Sequence, residues 1–419
     1  MSAPIPLTAA RRYSVLICAL LAWLGAGILM AVPPLSARQA VADLGVIDEA
    51  LRGRWFSWYV CAFLLGAAAG GLIFGWLGDR VGRAKALGLS VMTYSILAGC
   101  CYFINSPLQL LVLWFLACTG VGGVWPNGVS LAAEALPGMS RPWLSGLFGS
   151  TANLGLMLLA ALAWWEPITP AHWRWVMLVA AAPALLGIFI LTSVAESPTW
   201  LASQNESPTT DNHSRSPVAE VFHPPLLKYT VIGILLGTIP QMGNWGATNW
   251  LVPWANQVQE QIGVHGLSAQ TQWTKSSGAL VGSLVGGAFA NICGRRTAYF
   301  LISLFSLIIS FFIFHNLSPR DDSFLSWVFV QGFFCTLYFG WLPLYLPELF
   351  PTRVRATGIG LCFNWGRAAT AVGVLLGGQL MLTFDGDYAQ VGQATCLVYG
   401  LGMVVICFAP DTTKKQLDI

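Results

Sequence analysis

One cation stands deep inside an otherwise apolar run. Arg367 lies near the middle of the stretch 354–383, where a charge costs at least about 2.5–3.5 kcal/mol, so it reads as a residue with a task. A guanidinium in such a place can hold a carboxylate through two parallel hydrogen bonds. No Asp or Glu lies deep in any apolar run to neutralise it. A ligand carboxylate, a bound anion or backbone carbonyls must do so, and an arginine bridging helix ends is the structural alternative. Other charges gather at the ends of runs: Asp79, Arg80 and Arg83, then Glu134 and Arg141, Glu196, Arg295 and Arg296, and Glu348 with Arg355. Opposite charges placed this way can pair and separate, which is the chemistry of a gate; solvated loop charge is the plainer alternative. No H-E-x-x-H helix, deep carboxylate pair or matched Ser and His occurs, so no enzyme is expected. The ten cysteines fall in or beside apolar runs, without zinc or disulfide spacing. Neither a metal nor a cofactor is expected.

These residues need a frame to hold them. Of 419 residues, 56% are hydrophobic and 9% charged, against roughly 25% charged in an average soluble protein. Such a chain cannot build a polar coat and is expected to be a polytopic membrane protein. One crossing takes about 20 apolar residues. Suitable stretches lie near 13–33, 54–77, 84–104, 107–136, 141–165 and 172–194, then 226–252, 271–293, 296–317, 323–347, 354–383 and 388–409. The polar segment 195–225, rich in Ser, Thr, Pro and Asn, separates the two sets and reads as a flexible linker. The expected fold is all-α, with twelve transmembrane helices in two pseudo-symmetric six-helix bundles, residues 1–194 and 226–419. A cytoplasmic N-terminus puts fourteen of the 21 Lys and Arg residues inside. It leaves Arg38, Arg52, Arg54, Arg174, Lys275 and Arg320 outside, the bias the positive-inside rule requires. Both termini are therefore expected in the cytoplasm. The first run is expected to stay as a helix rather than be cleaved as a signal. A net charge of +3 gives no reason to expect a nucleic-acid partner.

The two halves repeat one another. Gly66, Gly70, Gly75, Gly82 and Arg83 recur 212 positions later as Gly278, Gly282, Gly287, Gly294 and Arg295. At an offset of 214, Glu134, Pro137, Arg141 and Gly146 recur as Glu348, Pro351, Arg355 and Gly360. Packing glycines alone would not carry the loop charges along with them. Two like halves in one orientation place a substrate site between them near the bilayer midplane.

The segment Gly75-Trp76-Leu77-Gly78-Asp79-Arg80-Val81-Gly82-Arg83-Ala84-Lys85 resembles the loop-2/3 signature of the major facilitator superfamily. Its second copy, Gly287 to Arg296, keeps the shape with Asn291 in place of the acid. Ala195-Glu196-Ser197-Pro198-Thr199-Trp200-Leu201 is similar to the end of span six in the sugar-porter, organic-ion and synaptic-vesicle-protein branch. Pro347-Glu348-Leu349-Phe350-Pro351-Thr352-Arg353-Val354-Arg355-Ala356-Thr357-Gly358, followed by Gly366-Arg367, is similar to that branch's span 10/11 signature.

The resemblance implies a secondary transporter that moves a small organic solute by alternating access; a non-transporting receptor or vesicle component is the alternative. It implies that Asp79 sits against the start of span eleven and that the repeated charges clamp the cytoplasmic side. It also implies a cavity lined by spans one, four, seven and ten, with parts of five, eight and eleven. At mid-span depth the candidates are Trp23, Trp125, Asn127, Asn153, Gln241, Asn244, Trp245, Asn249, Gln331, Tyr338, Trp341, Asn364 and Arg367. Aromatic faces and neutral amides suit a sugar-like or flat solute, and in the organic-ion branch an arginine in the place of Arg367 is linked to anions. For each amide, bonding between helices is the competing role. Span seven, with Pro240 among several glycines, should be bent or unwound. None of the five histidines and no acid lies deep in a span. That leaves facilitated diffusion, or a coupling ion handled by a loop-proximal acid such as Glu49 or Glu260. The expected partners are a small-molecule substrate and the lipid bilayer, for a monomer in the plasma (inner) membrane.

Overall fold

A helix in lipid must satisfy its backbone amides internally, and this chain repeats that solution twelve times. The computed structural model describes residues 7–136, 139, 141–203, 217–351 and 354–412; the side chain of Arg141 and residues 204–216 of the expected linker lie outside the described residues. Twelve described helices are long and apolar enough to cross a membrane. They are α1 (Ala9–Asp43), α2 (Glu49–Val81), α3 (Arg83–Phe103), α4 (Pro107–Ala135), α5 (Gly146–Trp165), α6 (Trp175–Ser193), α7 (Leu226–Ile262), α8 (Leu267–Cys293), α9 (Arg295–Asn316), α10 (Phe324–Leu349), α11 (Thr357–Thr383) and α12 (Tyr388–Phe408). We call the end carrying Gly82 and Gly294 the basic face, and the other end the opposite face.

Several boundaries differ from the sequence reading, among them the end of α7, which runs ten residues past 252. Helix α1 runs ten residues past its expected end and α2 starts at Glu49, so Arg38, Arg52 and Arg54 are helical rather than in a loop. Pro33 and Pro34 look like a stop, yet every residue from Gly25 to Val41 is buried, and packing on all sides sustains the helix where local preference would end it. Lys275 likewise lies inside α8. The expected bend in span seven is present: regular helix ends at Gln241, just after Pro240. A wide π-type turn over Met242–Ala247 and a tight turn over Thr248–Trp250 follow before helix resumes.

The repeated glycines do the same work in both halves. Gly82 and Gly294 have φ of 110° and 82°, a region open to glycine, and each launches a helix at the next residue, Arg83 or Arg295. A side chain at Gly66 or Gly70 would strike the α4 backbone at Phe115 or Thr119, and one at Gly278 or Gly282 the α10 backbone at Phe329 or Phe333. Gly70→Val should therefore destabilise by at least about 1–3 kcal/mol, while Gly75→Val, which meets open space, should not. Thermal unfolding in detergent compares them; equal stability would rule out the close-packing account.

Helix α2 packs along α11 and α5 along α8, joining the halves. At the opposite face the core is continuous across them, with Trp250, Trp254, Phe314, Phe324, Met381 and Tyr388 of the second half joined to the first half's core in one cluster. At the basic face, the second half keeps a separate core around Ile239, Tyr338, Trp341, Tyr345 and Phe350.

Candidate functional site

The seam between α2 and α11 sets the stage. Gly53 lies against Met381, Ser57 against Gly378, the Ala67 carbonyl against Arg367, and Gly71 against Asn364, an antiparallel pairing in constant register. One step further along that register, Gly75 faces the level of Gly360, and a side chain at either would meet nothing within 4 Å. The helices are zipped at the opposite face and part toward the basic face.

Arg367 sits where the zipped part ends. Its Nη1 donates to the Ala67 carbonyl at 3.3 Å, its guanidinium carbon lies 5.0 Å from the centre of the Phe363 ring, and the residue is half-buried. That carbonyl is its only hydrogen-bond partner among the described residues, although a guanidinium has five N–H donors. Cation and free donors together are the recognition chemistry of a carboxylate.

Candidates from the sequence divide by burial. Trp125, Asn153, Asn244, Trp245, Asn364 and Arg367 are half-buried in mid-helix. Trp125 joins Trp23 at 5.1 Å and Phe148 at 5.8 Å, and Trp245 of α7 reaches Phe63 of α2 at 4.5 Å across the seam. Asn153 donates to the Gly149 carbonyl of its own helix at 3.0 Å. The others are buried among helices. Asn127 donates to the Phe74 and Gly123 carbonyls, both at 2.9 Å, tying α4 to α2. Gln241 donates to Gly237 and Phe363, tying α7 to α11. Tyr338 shares a 2.7 Å hydrogen bond with Ser303, and Trp341 donates to the Arg295 carbonyl at 2.8 Å. Gln331 donates to Cys335.

At the basic face the charges form two related sets. Arg83 Nη2 meets Asp79 at 2.6 Å, and Arg295 Nη1 meets the equivalent Asn291 at 2.7 Å. Glu196 accepts from the Ala84 amide at 2.9 Å, capping α3 at its positive end, and Ser197 donates to Glu134. Glu348 takes Arg295 at 2.8 Å and the Thr412 hydroxyl at 2.5 Å. Arg80 lies 4.4 Å from the Trp76 ring, Arg296 donates to the Cys407 carbonyl at 2.6 Å, and Arg355 to Phe350 at 3.4 Å. Each of these bonds stays within one half. Asp79 is turned to Arg83 and is 65% exposed.

The opposite face holds a cluster of which sequence reasoning had singled out only Glu49 and Glu260, and not the Arg38 that joins them. Arg38 of α1 meets Glu49 of α2 at 2.7 Å, and from α7 it meets Glu260 at 2.5 Å and Asn256 at 2.8 Å. Gln39 donates to Asn256 at 3.0 Å and to Glu260 at 2.6 Å, while Tyr388 of α12 donates to Glu49 at 3.0 Å. This network binds the two halves together. Its signal was available in the spacing: Asn256 and Glu260 are four apart and share one helical face. Lys275 was also misread. It is 8% exposed within α8 and donates to Asn249 at 2.9 Å. Among the described residues no three His, Cys, Asp or Glu side chains gather as a metal site.

Twelve apolar helices in two bundles, with a polar seam shut at one face and parted at the other, define a polytopic membrane transporter. The chain belongs to the major facilitator superfamily: the Major Facilitator Superfamily family model matches residues 15–271, and that of the Sugar (and other) transporter family matches 206–418. Among its relatives, the cis,cis-muconate transport protein of Acinetobacter baylyi is 27% identical over 353 residues, covering 83% of this chain and 82% of that protein. The probable 4-methylmuconolactone transporter of Cupriavidus pinatubonensis is 28% identical over 361 residues, covering 85% and 81%. The inward-open conformation of the xylose transporter XylE from E. coli shares the fold, with a TM-score of 0.74 at 17% identity over 97% of this chain and 98% of that one.

Proposed function

We propose that this transporter of small organic solutes carries an organic anion, a carboxylate on a flat or unsaturated frame, by alternating access. The observation that carries the reading is Arg367: a mid-helix guanidinium at the seam, half-buried, with one backbone carbonyl as its hydrogen-bond partner. Two relatives are named for muconate and a muconolactone, in keeping with such a cargo. Trp125 and Trp245 offer flat apolar faces, and Asn153, Asn244 and Asn364 neutral hydrogen-bonding groups, for the rest of the molecule. The same amides suit a sugar-like solute, which is the second reading. In the conformation described, the Arg38 network shuts the opposite face and the parted ends of α2 and α11 give access from the basic face. We place the basic face and both termini in the cytoplasm, the protein in the inner membrane as a monomer, and the boundary between bundles within 195–225.

A thermal-shift screen of the purified protein tests this directly. cis,cis-Muconate and nicotinate should raise the unfolding temperature in proportion to ln(1 + [L]/Kd), whereas D-xylose should not. Stabilisation by xylose alone would replace the anion with a sugar. Counterflow in proteoliposomes separates transport from a receptor role, since a receptor binds without exchange.

A further inference from the structure

Lys275 is a further cation set within a span, and the function above leaves it unused. It replaces an apolar residue of the repeat: 212 positions earlier stands Phe63. Its ammonium has one partner among the described residues, the neutral Asn249 Oδ1 at 2.9 Å. Around it lie more buried polar atoms than bonds to satisfy them. Among the described residues Asn249 Nδ2, Gln272 Oε1 and Gln331 Oε1 have no hydrogen-bond partner, in side chains of residues 4%, 1% and 1% exposed. Gln272 lies one turn before Lys275 on the same helix, and Gln331 adjoins Gly332, which packs on the Lys275 backbone.

Among the described residues no carboxylate pairs with this charge. From α10 the Cys335 thiol faces Lys275, with the Gln331 amide and the Tyr399 hydroxyl of α12 donating to it and Ser306 and Ser310 of α9 beside it. The helices in contact with α8 that carry acids are α1, α7 and α10, with Asp43, Glu260 and Glu348. These are engaged with Arg174, Arg38 and Arg295 respectively. A buried ammonium among neutral groups costs several kcal/mol. That cost is met in one of two ways: an anion arrives, or the proton leaves. Arg367 has only the first course, because a guanidinium keeps its proton in proteins; a lysine amine has both.

We propose that Lys275 is the proton carrier of the transport cycle, taking up one proton when an organic anion enters the site and releasing it when the anion leaves, so that the protein is a proton–anion symporter. The step is a simple protonation. The neutral amine accepts a proton from water on the side where substrate enters, becomes an ammonium beside Asn249 Oδ1, and returns the proton to water on the side of release. Anion and proton each favour the other's binding, and the coupling is reciprocal.

The inference rests on an organic-anion cargo, and the test separates the two. Purified protein in weakly buffered detergent with a pH-indicator dye is mixed with cis,cis-muconate adjusted to the same pH. The wild type should take up about one proton per muconate bound. In proteoliposomes an inside-alkaline pH gradient should drive muconate accumulation. Lys275→Gln keeps a hydrogen bond to Asn249 but cannot change charge, and Lys275→Arg stays charged. Both should lose proton uptake and at least tenfold of the gradient-driven accumulation, and any exchange that persists should no longer vary with pH. Muconate exchange by the wild type without proton uptake overturns the assignment, as does wild-type uptake in either variant. Failure of the wild type to exchange muconate at all overturns the anion reading instead, and this inference with it.

Discussion

Replacing Arg367 by Ala should raise the KM for cis,cis-muconate by roughly 10- to 150-fold, the equivalent of the 1.5–3 kcal/mol typical of a hydrogen bond to a charged group. The size follows from the geometry. The guanidinium is fixed at the seam by the Ala67 carbonyl and lies over the Phe363 ring, so it is oriented before any ligand arrives and little rotamer freedom is lost on binding. Arg367→Lys keeps the charge but not the planar fork, and should recover only part of the loss. A structural role for Arg367 predicts another pattern: both variants would unfold at lower temperature, and the KM of any protein that survives would be unchanged. Measuring KM and kcat in counterflow beside the unfolding temperature distinguishes the two. An unchanged KM in a stable Arg367→Ala protein would end the anion proposal.

The second large effect belongs to the opposite face. Arg38 is 7% exposed, and its partners Glu49 and Glu260 are 24% and 38% exposed. Of its two ion pairs, the one with Glu49 lies within the first half and survives any movement between halves; the one with Glu260 crosses the seam. Breaking a buried pair costs about 3–5 kcal/mol, which we reduce to about 2–3 kcal/mol because Glu260 is more than a third exposed and screened by water. Arg38→Gln should therefore shift the balance between shut and open forms of this face by roughly 30- to 150-fold toward open. Spin labels at Ile47 and Val264, both exposed and on opposite halves, should show a longer distance in the variant, in a background freed of the ten native cysteines. Glu260→Gln should move it the same way by less, since Arg38 then keeps its bond to Asn256 across the seam. An unaltered distance distribution in both would mean that the network does not hold the face shut.

Much of the fold was legible because its signals are local or repeated. Twelve apolar runs, a polar interval and loop motifs with glycine at Gly82 and Gly294 point to the twelve-helix arrangement, since positive φ and an abrupt helix start leave glycine as the natural residue there. Single side chains were harder to place. A helix apolar around its whole circumference gives no periodic hint of which face looks inward, so depth in the sequence could not tell Trp125, half-buried beside Trp23 and Phe148, from Tyr338, enclosed within the second half. Arg38 and Lys275 escaped for another reason. Each stands among polar or proline residues that look like a helix end. Only the tertiary partners, Glu260 and Asn256 for the one and Asn249 for the other, show that the helix continues.

The length of α1 carries a last consequence. Thirty-five residues at 1.5 Å each make a rod about 52 Å long, against a hydrocarbon layer about 30 Å thick. If its start lies at one membrane surface, with Arg11 and Arg12 in the headgroups, an upright α1 lifts Arg38 beyond the oily layer into the band where lipid phosphates, counterions and water mix. There the interaction between exposed charges fades over a screening length of about 8 Å at physiological salt. The latch between the halves would then stand in that band with Arg38 shielded at 7% exposure and Glu260 open at 38%, so that water reaches it mainly through its second-half partner.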